Sequence, residues 1–459
     1  MRKIRIGGGS GYAGDRWEPA VELVERGEID YLVLEALAER TIAREQIARK
    51  QDANRGYNPW LEARARALLA PARSRGVKII TNMGAANPRS AARRVVEIAA
   101  ELGLHDYRVA AVIGDDVTEI IRGLDTAIME TGEPFSVLEP RMISGNAYLG
   151  ADAIARGLAT GADMVITGRV GDPSLFLAAM MDGLGWSYED YHLIGQGMAV
   201  GHLLECAGQV TGGYFADPGY KDVPDLHRLG FPIAEVHADG SVFITKVAGS
   251  GGLVTTATCK EQLLYEVHDP AAYITPDCVL DFTDVTLTQC GPDRVQVVGS
   301  RALPRTAFYK VSVGYSNGFL GEGQMSYGGP GAVERARLAA EVVEKRLALR
   351  GVACDDLRFD LIGVQSLHGT ASPPQPAPHE VRLRVAGICA TEQQAALIGA
   401  EVETLLTNGP YGGAGDFKAT REIIAVLSVL LERERVPIEI VVEQSPSSFA
   451  LATREEVAA

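Results

Sequence analysis

The sequence predicts an α/β protein: a mostly parallel sheet with flanking helices, followed by an α+β ferredoxin-like C-terminal unit. Three observations lead there. Over the first 200 residues, short runs rich in Val and Ile alternate with stretches whose apolar residues recur every three or four positions, the pattern of a parallel sheet with helices on its faces. The last third has the order β-α-β-β-α-β of a ferredoxin-like layer. The length, 459 residues with 46% hydrophobic side chains, suffices for two or three domains with substantial cores. These are expected at 1–230 (parallel sheet with a glycine-rich loop), 231–290 (a connecting β-rich segment) and 291–459 (the ferredoxin-like domain).

In chain order, strands are expected at 3–6, 31–34, 77–81, 108–113 and 164–167. Helices are expected between and beyond them at 19–26, 61–75, 89–102, 117–129, 152–161 and 173–183, then a helical stretch within 188–213. In the last third, strands at 294–303 and 308–315 precede a helix at 332–348 and a strand at 358–363. A proline-rich loop, S-P-P-Q-P-A-P, leads to a strand at 380–385, a helix at 392–406 and strands near 421–430 and 438–442. The tail after Ser448 is expected to fray.

The first strand ends in Gly7, Gly8, Gly9, Ser10, Gly11 and Gly14, with Asp15 and Arg16 as the first charged groups after it. Glycine lets a ligand touch the main chain, so this density marks one wall of an active site. Gly9-x-Gly11-x-x-Gly14 also fits a dinucleotide fingerprint, with Glu35 where a ribose-binding acid would sit. Pro19 places the helix start beyond Gly14, and Asp15 puts a negative charge where a pyrophosphate would lie. An NAD(P)-dependent oxidoreductase is therefore an alternative rather than the leading reading, and a non-catalytic pathway subunit is the other alternative.

Four further strand ends carry polar groups: Glu35 to Thr41, Asn82 to Pro88, Gly114 to Asp116 and Gly168 to Asp172. Open α/β sheets bind ligands outside the carboxyl ends of their strands, which makes these ends a site. Asp15, Glu35, Asp116 and Asp172 are its acid–base candidates; Gly9, Ser10, Gly11, Arg16, Asn82, Asn87 and Arg169 are substrate-binding candidates. His202 and Glu205 share a helix face three residues apart, with Cys206 close by, and extend the acid–base and binding set. Several carboxylates together need a proton or a cation among them. No cofactor is required by any motif, and magnesium or manganese is admitted without a ligand spacing that demands it.

A net charge of −15 argues against nucleic acid and anionic membranes as partners. No apolar run has the length of a bilayer span, and no export signal is visible at the N-terminus. The six cysteines, at 206, 259, 278, 290, 354 and 389, show no C-x-x-C spacing, which suits reduced thiols in a cytoplasm. A small-molecule substrate and a homo-oligomer are expected, the latter as a base rate.

The strings G-G-S-G-Y-A-G-D-R, D-Y-L-V-L-E-A-L-A-E-R-T, N-M-G-A-A-N-P, T-G-R-V-G-D-P-S and H-L-L-E-C-A-G-Q-V-T-G-G-Y resemble the AtuA-like family, named for acyclic terpene utilisation. The resemblance runs through most of the chain. It implies catabolism of branched acids or their CoA thioesters, at a hydration or carbon–carbon cleavage step, and thus a lyase or hydratase. It brings no residue roles with it; those rest on the residues themselves.

Overall fold

A computed structural model describes residues 2–371 and 378–447. Residues 372–377, all but the last residue of the proline-rich loop, and the tail from Ser448 lie outside the described residues. The chain forms two compact units, Met1–Gly314 with Val426–Ala459, and Tyr315–Ala425.

The first unit is built on a ten-stranded sheet. Its centre is five parallel strands side by side: Lys3–Gly11, Tyr31–Glu35, Lys78–Thr81, Met164–Thr167 and Arg108–Ile113. All five had been expected from their Val- and Ile-rich runs. Helices Glu18–Arg26, Leu61–Arg75 and Pro88–Glu101 supply one apolar layer, with Leu23, Leu68 and Val95 fully buried. Removing each such side chain from water contributes roughly 1.5–3 kcal/mol. Helices Ala151–Ala159, Asp172–Leu184 and Tyr191–Leu204 pack in the same unit against these strands.

The remaining strands are antiparallel, so the sheet is mixed rather than mostly parallel. Residues 231–290 add Pro232–His237 and Val242–Lys246 beside Lys3–Gly11, followed outward by Arg294–Val298 and Thr286–Gly291. At the other edge Glu439–Gln444 pairs with Arg108–Ile113, Ile440 opposite Val112. Sequence spacing had placed that strand in the last domain; only pairing across more than three hundred residues reveals its place.

Two local expectations change. The helix expected at 117–129 is a single turn, Thr118–Ile121. Its apolar spacing is real, but Gly123 turns the chain at φ 68° and Ile128 donates its N–H to Glu133 O, closing a loop instead. Conversely, Glu39–Gln51 is a helix although its polar sequence lacks a clear apolar stripe.

The first strand runs through its glycines to Gly11, which stands opposite Glu35. Close packing explains most of them. A Cβ at Gly9 would meet Leu34 Cδ2 at 2.7 Å, one at Gly8 the Leu204 carbonyl oxygen at 2.8 Å, and one at Gly11 the Cys206 backbone at 2.5 Å. Gly11→Ala is therefore expected to displace the Cys206 backbone and to destabilise the first unit by about 1–3 kcal/mol, read as a lowered denaturation midpoint.

In the second unit the sheet order is Asp355–Ile362, Glu380–Cys389, the 315–328 part of the strand Phe308–Gly328 and the 414–425 part of the strand Ala414–Glu432, and the chain order is β-α-β-β-α-β. Helices Ala332–Leu349 and Glu392–Glu403 cover one face through Ala336, Val343, Ile398 and Val402 over Met325, Leu383 and Val385. Among the described residues no helix is long and apolar enough to cross a membrane.

Candidate active site

A cavity of about 860 Å³ opens in the first unit beyond the carboxyl ends of the first, second and fourth of the central strands. A parallel sheet sends every strand-end loop to one edge, which is why residues 11–16, 35–41 and 169–172 meet there. The segment from Glu205 to Tyr214, with Leu226, Leu229, Phe231, Tyr265 and Glu266, completes the wall.

The cavity is acidic. Six carboxyl residues line it, Asp15, Glu35, Glu39, Asp172, Glu205 and Glu266, against two cations, Arg16 and Arg169. Arg169 is buried, its side chain 3% exposed, and holds Asp172 with both terminal nitrogens at 3.0 and 3.3 Å. It also donates to Leu37 O, lies 3.8 Å from Glu39 and stacks 4.2 Å from the Tyr148 ring centre. Its two terminal nitrogens are thus engaged by the protein itself, while Nε is buried with no partner among the described residues. Arg169 acts as the cation that lets Glu35, Glu39, Asp172 and Glu205 share one site, rather than as a free clamp for substrate.

Glu35 sits at the cavity floor, 7% exposed. Its Oε1 accepts from Leu37 N–H at 2.7 Å and from Asn82 Nδ2 at 3.0 Å, and among the described residues nothing donates to Oε2. Asn82 cannot turn over, because its Oδ1 accepts from Ala36 N–H at 2.7 Å. Burial pushes the Glu35 carboxyl up to about 7, against the pull of those donors and of Arg169, with Glu205 pushing further upward.

Glu205 Oε1 meets His202 Nδ1 at 2.6 Å, while Glu205 Oε2 and His202 Nε2 are buried without partners. His202 lies behind the wall, its ring 5.5 and 5.6 Å from those of Tyr273 and Phe282. Burial raises the Glu205 carboxyl, opposed by His202; the imidazole, which burial alone would lower, is raised by Glu205. Burial likewise pushes Asp172 up, with Arg169 opposing. The Cys206 thiol reaches the cavity, but burial and Glu205 raise it far from a reactive thiolate.

Other sequence candidates serve the frame. Asp15 accepts from Gly11 N–H at 2.9 Å and from Arg16 N–H at 2.8 Å, so it occupies amides that a dinucleotide phosphate would need. Ser10 is buried and ties the strand to Glu35 O at 2.5 Å, and Gly9 is closed off by Leu32 and Leu34. Asn87 donates to Ala53 O and Arg55 O and accepts weakly from Ser90 N–H at 3.4 Å. With Asp116 it borders a separate cavity of about 550 Å³, where Asp116 accepts from Thr118 and Gln46 and pairs with Arg49. Arg16 stays exposed at the mouth, its guanidinium without an ion pair among the described residues. Among the described residues no group of three or more His, Cys, Asp or Glu side chains is arranged to hold a metal.

Sequence reasoning missed Glu39, Asp115 and Tyr148. Although burial works against it, Arg169 and the Tyr148 hydroxyl hold Glu39 down to about 2. Asp115, not its neighbour Asp116, is the buried acid of the Gly114-Asp115-Asp116 run. Burial lifts it to about 7 while it accepts Arg169 N–H at 2.8 Å and Asn146 Nδ2 at 3.0 Å. Glu39 and Asp115 both lay inside strand-end clusters singled out from sequence; no signal there pointed to Tyr148.

Together these features define an α/β protein with an acid-rich cleft at the carboxyl edge of its parallel strands. The family model described as "Acyclic terpene utilisation family protein AtuA" matches residues 4–442, nearly the whole chain, and the protein belongs to that family. No curated protein and no solved structure matches the chain.

Proposed function

We propose that the protein is a catabolic enzyme of the lyase or hydratase type, moving protons on a branched acyl-CoA thioester or a related carboxylate. The observation that carries this reading is Glu35: one carboxylate oxygen is fixed by two donors, nothing among the described residues donates to the other, and burial pushes the group up to about 7. A general base works best when its pKa lies near the operating pH and its orientation is set in advance. Glu205, with His202 behind it, is the second proton carrier. Arg16, the free cation at the mouth, holds the anionic part of the substrate.

Membership of the acyclic terpene utilisation family supports the substrate class. Of the substrate-binding candidates, the Gly11 amide, Asn82 and Asn87 have donors engaged within the protein, so stabilising charge on an enolate oxygen falls to Arg16 and the field of Arg169. The strand order of the second unit supports a ferredoxin-like layer there.

A thermal-shift panel of branched acyl-CoA esters, free branched acids and NAD(P) tests the substrate class. At one hundred times its dissociation constant a ligand adds about 2.7 kcal/mol to the folded state. A shift with CoA esters or acids that weakens in Arg16→Ala is expected, whereas a shift with NAD(P) alone would sink the reading. Asn82→Ala removes a donor from the Glu35 carboxylate, so its pKa rises above about 7. The acid limb of the rate–pH profile should then move upward by roughly one unit, with the rate recovered near pH 9.

A further inference from the structure

The second unit holds two thiols in direct contact. Cys389 ends the strand Glu380–Cys389, and Cys354 immediately precedes the strand Asp355–Ile362. These strands are antiparallel with Asp355 opposite Ile388, so Cys354 and Cys389 are the next pair outward, facing each other across the ladder. Directly opposed residues in such a ladder hold their Cβ atoms about 4.5–5.5 Å apart, within a small adjustment of the separation a disulfide spans. Both sulfurs turn to the same face and stand 3.0 Å apart. Cys389 is buried in the unit's core, while Cys354 is half-buried at its edge and packs over Gly387, where a Cβ would meet its own at 3.3 Å. Among the described residues no other two cysteine sulfurs touch.

We propose that Cys354 and Cys389 are a disulfide-forming pair, oxidised by a small-molecule disulfide or similar two-electron oxidant and reopened by thiols. The less buried Cys354 sulfur attacks the small disulfide, forms a mixed disulfide and releases one thiolate. Cys389 then attacks the Cys354 sulfur, forms the internal bond and releases the second. Two protein thiols lose two hydrogens and two electrons, and one small disulfide becomes two thiols. Burial and the neighbouring sulfur push the Cys354 thiol up to about 12, so its thiolate is scarce at neutral pH. Formation is therefore slow, and should quicken about tenfold per pH unit as the thiolate fraction grows. The bond clasps the start of one strand to the end of its neighbour.

The test incubates the full chain with oxidised glutathione at pH 8, followed by thiol counting in denaturant and mapping of non-reduced peptides. The expected result is loss of two of the six thiols, a Cys354–Cys389 linkage and its reversal by dithiothreitol. Cys354→Ser should prevent the linkage, and Cys389→Ser should leave glutathione stranded on Cys354. Six intact thiols, a linkage through any other cysteine, or a lasting glutathione adduct on Cys354 of the unaltered chain would each overturn the proposal.

Discussion

Glu35→Gln is expected to abolish turnover, by roughly 10²–10⁴-fold, while leaving the fold intact and making it more stable at alkaline pH. The amide keeps an oxygen for the Leu37 and Asn82 donors but cannot carry the proton. The stability effect follows from linkage. Glu35 has its pKa raised from 4.5 to about 7 on folding, so the folded state binds its proton more tightly than the unfolded chain does. Stability tied to that proton is complete below about pH 4 and is lost as pH rises through 7. Glutamine does not titrate. The variant should match the unaltered protein near pH 4 and exceed it at pH 8, by up to roughly 3 kcal/mol at 1.36 kcal/mol per unit. Denaturant titrations at the two pH values read this without a substrate. Equal stability at both would mean that Glu35 is ionised and solvated, and no poised base.

Arg169→Met should have the largest effect on folding itself. The guanidinium is buried, bidentate on Asp172 and close to Glu39, and it opposes the upward shifts of Glu35 and Glu205. Its removal strands buried carboxylates, a class of change that costs about 3–5 kcal/mol. The deficit should grow with pH, because each orphaned carboxyl gains a higher folded pKa, and its proton-linked stability is lost as pH rises through that value. Near pH 4–5, where the carboxyls are protonated, much of the stability should return. Adding Asp172→Leu should recover part of the loss at pH 8, since an apolar pair of similar volume often replaces a buried ion pair well. A deficit independent of pH would assign Arg169 a packing role alone.

The parallel core was legible because its strands are short, β-branched and separated by helical spacing, and local pattern suffices for that. The edge strand Glu439–Gln444 was not, because pairing with Arg108–Ile113 is a tertiary choice that no local pattern encodes. The glycine run was read as a ligand-facing loop, yet Gly8 and Gly9 face Leu204 and Leu34, a reason for glycine that appears only once the neighbouring elements are in place. Strand-end clusters brought Asp15, Arg16, Glu35, Arg169 and Asp172 to one cavity, joined there by Glu205 and Cys206 from the end of a helix, while Asp116 and Asn87 went to another. Sequence names the charged residues but not their pairing: whether an arginine is free, like Arg16, or filled by its own protein, like Arg169, depends on a third dimension.

The central claim is that Glu35 moves a carbon-bound proton of an acyl substrate. The direct measurement is deuterium wash-in: branched acyl-CoA esters and the free acids incubated with the protein in D₂O and read by mass spectrometry. Incorporation by the unaltered protein, lost in Glu35→Gln and shifted to higher pH in Asn82→Ala, is the predicted result. Incorporation that persists unchanged in Glu35→Gln, or none with any member of the panel, would contradict it.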